Sequence, residues 1–103
     1  MNFLSFFFYL VLGVSQLQAQ QGIGGGVELS WTASVTPVVT YEVYRGVASG
    51  KENYAAPLNA TPISTLRYRD ATAAMRSTYF YTVEAVKGTT HSVPSNEVSV
   101  RVF

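Results

Sequence analysis

Four short segments in which apolar and polar side chains alternate constrain this chain more than any other feature. They are Val27-Glu-Leu-Ser-Trp31, Tyr41-Glu-Val-Tyr-Arg45, Tyr79-Phe-Tyr-Thr-Val-Glu-Ala85 with Val86, and Val98-Ser-Val-Arg-Val102. Successive side chains of a strand point to opposite faces, so a period of two gives each segment one face for a core and one for solvent. Pro37, Gly46, Gly50, Pro57, Lys87-Gly88 and Pro94 punctuate the chain as turn signals, and no stretch has the period of an amphipathic helix. The expectation is an all-β Greek-key sandwich. Its strands fall over 27–32, 39–47, 66–70, 77–86 and 98–102, with a weaker one over 54–59. Period-two arithmetic puts Leu29, Trp31, Tyr41, Val43, Tyr81, Val83, Val98 and Val100 inside.

The 103 residues hold one domain, and a net charge of +1 argues against an electrostatic partner such as nucleic acid. With 13% charged and 14% aromatic residues, a core can form without metal or disulfide staples. The absence of cysteine removes any disulfide framework, thiol nucleophile or thiolate metal site.

Residues 3–14 are almost continuously apolar, and no charged side chain precedes Glu28. This pattern fits the apolar region of a secretory signal peptide over 1–19, followed by a Gly-rich lead over 20–26 and the domain over 27–103. Small residues place cleavage after Ser15 or Ala19, so the mature chain would start at Gln16 or Gln20. Against this, the leader has no Lys or Arg, and Leu17 is large for its place before Ala19; the alternative is an uncleaved apolar tail. A dozen apolar residues fall short of the roughly 20 that cross a bilayer, so no stable membrane span is expected in the mature chain.

The segments Val-Glu-Leu-Ser-Trp31-Thr-Ala-Ser, Tyr41-Glu-Val-Tyr-Arg-Gly46, Tyr68-Arg-Asp70, Thr78-Tyr-Phe-Tyr-Thr-Val-Glu-Ala-Val86 and Pro94-Ser-Asn-Glu-Val-Ser-Val100 occur in the order found in fibronectin type III domains. Over residues 27–102 the chain resembles that family, particularly the bacterial modules of secreted enzymes and surface proteins. The resemblance implies that Trp31 packs against Tyr41, and that Tyr79 is a buried corner tyrosine whose hydroxyl satisfies a backbone group of the preceding turn. Three departures stand out. Ala73, Met75 and Arg76-Ser77 replace the family's usual Leu, Pro and Gly or Thr before that tyrosine, implying a looser turn. The Arg-Gly-Asp tripeptide is absent from the 87–94 loop. Only the Gly-rich 20–26 segment precedes residue 27, so the family's first strand is expected to be short or missing. The 27–32 strand would then be an open edge, through which the chain could associate by strand addition.

Catalysis finds few converging groups, so no catalytic, cofactor or metal residues are assigned. His91 is the only histidine and reads as a solvated loop residue. Glu42 and Glu84 should share an outer face, which offers no cleft for general acid–base work, and Arg101 is their expected partner. Glycines 22, 24, 25 and 26 precede a strand and form no phosphate loop. Asn59-Ala-Thr61 matches a glycosylation sequon, a motif common by chance. The same arithmetic puts Tyr44, Phe80, Thr82, Glu84, Ser99 and Arg101 on the outer face of one sheet, where aromatics could stack on sugars or anchor a protein. Cross-strand pairing alone also accounts for them.

By resemblance the chain is a non-catalytic extracellular interaction or spacer module, secreted or at the cell surface, with a protein or polysaccharide as partner. A glycan-binding accessory domain of a secreted carbohydrate-active enzyme, and a fragment of a larger secreted enzyme or adhesin, are the other readings.

Overall fold

The computed structural model describes residues 10–103 as two antiparallel sheets packed face to face. In chain order the strands are β1 (Ser15–Gln21), β2 (Val27–Thr32), β3 (Thr40–Gly46), β4 (Arg67–Asp70), β5 (Thr78–Lys87), β6 (Thr90–His91) and β7 (Val98–Arg101). One sheet has the order β1-β2-β4. In the other, β3 pairs with β5, which also pairs with β6 and with β7. Alternation drives the packing. Val27, Leu29 and Trp31 from β2 meet Tyr41 and Val43 from β3 and Tyr81, Val83 and Ala85 from β5 in one core. The sandwich expected from the sequence is the observed architecture.

The expectation of a short or missing first strand is overturned. β1 is seven residues long and pairs along β2, from Ser15 opposite Thr32 to Gln21 opposite Val27, with a bulge between Ser15 and Gln18. The glycines that were read as the strand's only material form the turn after it. Gly24, Gly25 and Gly26 have φ of 81°, 100° and 72°, a conformation glycine adopts without a Cβ clash, and Gly22 N–H donates to Gly26 O across the turn. β2 is therefore a middle strand flanked by β1 and β4, and the open edge proposed for association does not exist. The domain also begins upstream of residue 27. Val11, Val14 and Leu17 are 5%, 6% and 2% exposed and belong to the core. Residues 1–9, the first part of the expected 1–19 leader, lie outside the described residues.

The aromatic expectations hold. Trp31 meets Tyr41 edge to face, with ring centroids 5.5 Å apart at 62°. Tyr41 Oη in turn accepts a bond from Ser34 N–H. Tyr79 Oη accepts from Ala74 N–H at 2.9 Å, five residues upstream. The turn expected to be loose is tied to the chain end: Arg76 N–H donates to Val102 O and Val102 N–H to Ser77 O. Val98 and Val100 sit half-buried at the rim of the core, and Val102 is the fully buried valine of this segment.

The weak strand over 54–59 does not form. The segment covers the outer edge of β3 by single contacts instead. Leu58 N–H donates to Val43 O, Val43 N–H donates to Asn59 Oδ1 at 2.8 Å, and Ile63 forms a bridge with Tyr41. Asn59 is buried and gives its amide to Thr61 O, so its role is to close a sheet edge and its sequon is inaccessible.

Trp31→Ala removes the largest side chain of the smaller sheet's inner face and should cost about 3–5 kcal/mol. Urea unfolding monitored by tyrosine fluorescence checks this; a loss under about 1 kcal/mol would place Trp31 outside the essential core.

Candidate functional site

The outer face of the larger sheet was expected to be open, with Tyr44 and Phe80 displayed. The register supports the geometry, since Tyr44 pairs with Thr82, Glu42 with Glu84 and Phe80 with Ser99. The burial does not support an open platform. Tyr44, Thr82 and Glu84 are only 2%, 3% and 9% exposed; Phe80 is half-buried, and Ser99 and Arg101 are exposed. The cover is the segment after β3. At Gly46 the chain turns so tightly that a Cβ there would stand 2.5 Å from Lys51 O, which only glycine permits. Residues 47–57 then fold back over the sheet. The Tyr54 ring packs on Tyr44 with centroids 4.9 Å apart, and the Tyr54 hydroxyl bonds Thr82 Oγ1 at 2.9 Å.

Two carboxylates fasten this flap. Glu97, just before β7, accepts bonds from Ser49 Oγ (2.6 Å) and Gly50 N–H (2.7 Å). Glu52 is buried at 8% exposure, and its Oε2 has no donor among the described residues. The group it meets is the Glu97 carboxylate, so the contact is attractive only with one shared proton. Burial pushes the Glu52 carboxyl up to about 7, reinforced by the hydrogen bond with Glu97 and by its charge. Bonds from Glu52, Ser49 and Gly50 hold Glu97 below the ordinary carboxylate value.

Beside the flap, Glu42 and Glu84 do stand opposite each other, as expected, but Arg101 is not their partner. His91 fills that role from β6, with Nδ1 3.0 Å from Glu84 and 3.6 Å from Glu42. Tyr44 Oη also donates to Glu42. Arg101 lies over the Phe103 ring instead. The reading of His91 as a solvated loop residue missed that a two-residue strand, with His91 opposite Val86, brings it back over β5. Among the described residues, no group of three acidic or histidine side chains, this one included, is placed to hold a metal ion.

A second polar group, buried between the sheets, was not read from the sequence. Asp70 at the end of β4 is 1% exposed and accepts bonds from Tyr81 Oη (2.6 Å), Arg45 Nη1 (2.9 Å), Thr72 N–H (3.0 Å) and Thr72 Oγ1 (2.7 Å). Arg45 also lies 4.7 Å over the Tyr79 ring. Burial alone would raise the Asp70 carboxyl; the bonds from Tyr81, Thr72 and Arg45 outweigh it and hold the group below its ordinary value. The available signal was an alternation conflict: Tyr81 faces inward with an oxygen that needs a partner, and Asp70 ends an inward-alternating strand.

The topology, the Trp31–Tyr41 contact and the corner tyrosine define a fibronectin type III-like domain. The fold comparison agrees. A fibronectin-type-III-like protein from Clostridium thermocellum is similar over 90% of this chain and 94% of its own, with a TM-score of 0.75 and 26% identity. A β-1,2-glucanase from Parabacteroides distasonis is similar over 91% of this chain, at a TM-score of 0.68 and 18% identity. Pectate lyase PelI from Erwinia chrysanthemi, in complex with tetragalacturonic acid, is similar over 82% of this chain, at a TM-score of 0.63 and 25% identity. The chain corresponds to only 13% and 27% of the lengths of those two enzyme chains. No family model and no curated protein matches the sequence.

Two predictions follow from the carboxylates. Asp70→Ala leaves Tyr81 and Arg45 without their acceptor and should destabilise by about 3 kcal/mol or more in chemical denaturation. Because the Asp70 carboxyl is depressed, its contribution is present above the ordinary value of 3.8 and is lost as pH falls through its lower folded value.

The flap behaves oppositely at its upper limit. The raised Glu52 group favours the fastened state below its ordinary value of 4.5 and loses that contribution as pH rises through about 7. The depressed Glu97 group loses its contribution at the acid end, so the one-proton pair fastens best in mild acid. Exchange of the Gly50 amide should therefore accelerate between pH 5.5 and 8.5 beyond the intrinsic base-catalysed trend. Glu52→Gln, which keeps a donor toward Glu97, should abolish the excess; an unchanged excess would assign the effect elsewhere.

Proposed function

We propose that this domain is an extracytoplasmic spacer or interaction module with no chemistry of its own. The observation that carries the reading is polarity. The chain comes in beside the 33–39 loop, where Leu12 bonds Thr36 and Ser34, and it reaches Phe103 beside Gln21, at the other end of β1. A domain that holds residue 12 at one pole and residue 103 at the other suits a polypeptide that is extended instead of doubled back. The covered part of the outer face, with Tyr44 beneath Tyr54 and with Glu42 and Glu84 against His91, supports the same reading because it offers no cleft to a reacting substrate. The similarity to segments of larger polysaccharide-acting enzymes fits a module accessory to such a protein.

That similarity also supports a second reading, a glycan-binding accessory domain. The aromatics available to it are half-buried Phe80 and Tyr54, which is 44% exposed, with Tyr44 as the buried support of Tyr54.

The purified chain should pass unretained through columns of insoluble β-glucan and polygalacturonate, and should hydrolyse no model ester, peptide or glycoside. Retention that disappears in Phe80→Ala or Tyr54→Ala, with melting unchanged, would establish the glycan reading. Turnover of any substrate that persists through purification would overturn the non-catalytic one.

A further inference from the structure

Trp31 Nε1 and Glu52 Oε2 are buried side-chain polar atoms with no hydrogen-bond partner among the described residues. Glu52 is the more demanding of the two, because at 8% exposure a carboxylate without a donor is penalised far more than an indole N–H. Its surroundings offer oxygen and no cation. The group facing it is the Glu97 carboxylate, and the Tyr54 hydroxyl stands 3.5 Å from its other oxygen, Oε1. Glu97 in turn has the Ser49 hydroxyl 2.6 Å from Oε1 and the Gly50 N–H 2.7 Å from Oε2. Neither Glu52 nor Glu97 forms an ion pair among the described residues.

The wider charge distribution has the same sign. Glu42, Glu52, Glu84 and Glu97 are four of the chain's six acidic residues, and all four belong to the outer face of the larger sheet or to the flap upon it. The cations of this side are placed elsewhere on it. His91 sits against Glu84 and Glu42, Lys51 is exposed on the flap, and Arg101, nearer the chain end, lies over the Phe103 ring. The two remaining acids are paired outside this face, Glu28 with Arg69 and Asp70 with Arg45. A small cation is therefore drawn to this side of the domain and meets an unfilled oxygen at Glu52.

We propose that Glu52 and Glu97 bind a calcium ion that fastens the flap over Tyr44. Glu52 Oε2 and the Glu97 carboxylate are the anionic ligands, the Ser49 hydroxyl is a neutral one within reach, and water completes the six to eight oxygens that calcium takes at about 2.3–2.6 Å. No third acid is needed, since carbonyl, hydroxyl and water oxygens serve calcium equally. Magnesium demands a near-octahedral cage that a loop of this kind does not impose, and zinc would call for histidine or cysteine, which this pair lacks. The half-buried Glu97 leaves the side from which a hydrated ion enters. The ion takes the place of the proton that the two carboxylates otherwise share. Ser49, Gly50 and Glu52 lie on the flap and Glu97 lies just before β7, so the ion ties the cover to the sheet it covers. With two carboxylates and several waters, the site belongs with the weak calcium sites of extracellular modules, with a Kd of about 10⁻⁴–10⁻³ M. It stands apart from the choice between a spacer and a glycan-binding module, and its failure would leave that choice as it was.

Calcium titration of the full chain tests it. At neutral pH and constant ionic strength, about 10 mM calcium should raise the melting temperature by about 5 °C. It should also slow exchange of the Gly50 amide several-fold while leaving the amide of Gly24, on the exposed turn after β1, unchanged. Terbium, which substitutes for calcium, should give luminescence sensitised by the Tyr54 ring and be displaced by calcium. Glu52→Gln and Glu97→Gln should each lower calcium affinity about tenfold or more, whereas Glu84→Gln should leave it within about threefold. The amides that calcium protects locate the ion without any substitution, so the test survives variants that fold poorly: Gly50 should slow more than Thr90 or His91. A chain whose melting, Gly50 exchange and terbium signal all ignore calcium holds a shared proton only, and that result would overturn the inference. Equal calcium affinity in both Gln variants of the pair, a response lost in Glu84→Gln instead, greater protection at Thr90 or His91, or an equal response to magnesium would overturn it as well.

Discussion

The two sheets are held in register by one buried carboxylate. Asp70 ends β4 in the smaller sheet, while its charge and hydrogen-bond partners Arg45 and Tyr81 stand on β3 and β5 in the larger one. Apolar packing between sheets is non-directional and tolerates sliding, whereas an ion pair with four donors on one carboxylate does not. An unpaired charge at 1% exposure would be heavily penalised, so the arrangement is all or nothing. The stacking of Arg45 over Tyr79 and the bond from Ala74 to that tyrosine carry the same tie into the turn before β5. Corner, sheet register and strand end are thus parts of one connected network.

Around this interior the chain manages its edges economically. β1 covers β2 on one side, and its own free edge is met by Asn96, whose amide bonds both the N–H and the carbonyl of Leu17. The segment around Leu58, Asn59 and Ile63 closes β3 without forming a strand, and β4 is left as an edge of four residues bearing two arginines, the sort of edge that resists recruitment of another chain. The flap over Tyr44 belongs to the same economy. Tight reversal at Gly46, aromatic stacking and the bonds from Ser49 and Gly50 to Glu97 convert what would be an exposed aromatic face into a largely covered one.

Much of the architecture was legible from alternation alone. The inward sets of β2, β3 and β5 followed from period two, because a strand that buries one face leaves its signature in every second residue. The Trp31–Tyr41 contact and the bond to Tyr79 were implied by resemblance to a family and found in place. β1 was missed for a specific reason: its apolar residues merge into the run that reads as a leader, and both readings need hydrophobic residues there. The face of Tyr44 was misjudged because alternation tells which side of a sheet a residue takes, not what lies above that side. His91 was misjudged because two residues of strand carry no periodic signal.

Local sequence therefore determined which residues of β2, β3 and β5 face inward and most of the places where the chain turns. Those outcomes depend on backbone geometry and on side-chain alternation within a few residues. Only the tertiary structure decided that Val11, Val14 and Leu17 belong to the core, that Asp70 finds Arg45 and Tyr81 across the sandwich, and that Glu52 lies by Glu97. Each of these joins groups at least 10 residues apart in the chain, and their meeting is set by how the sheets pack, which no local pattern encodes.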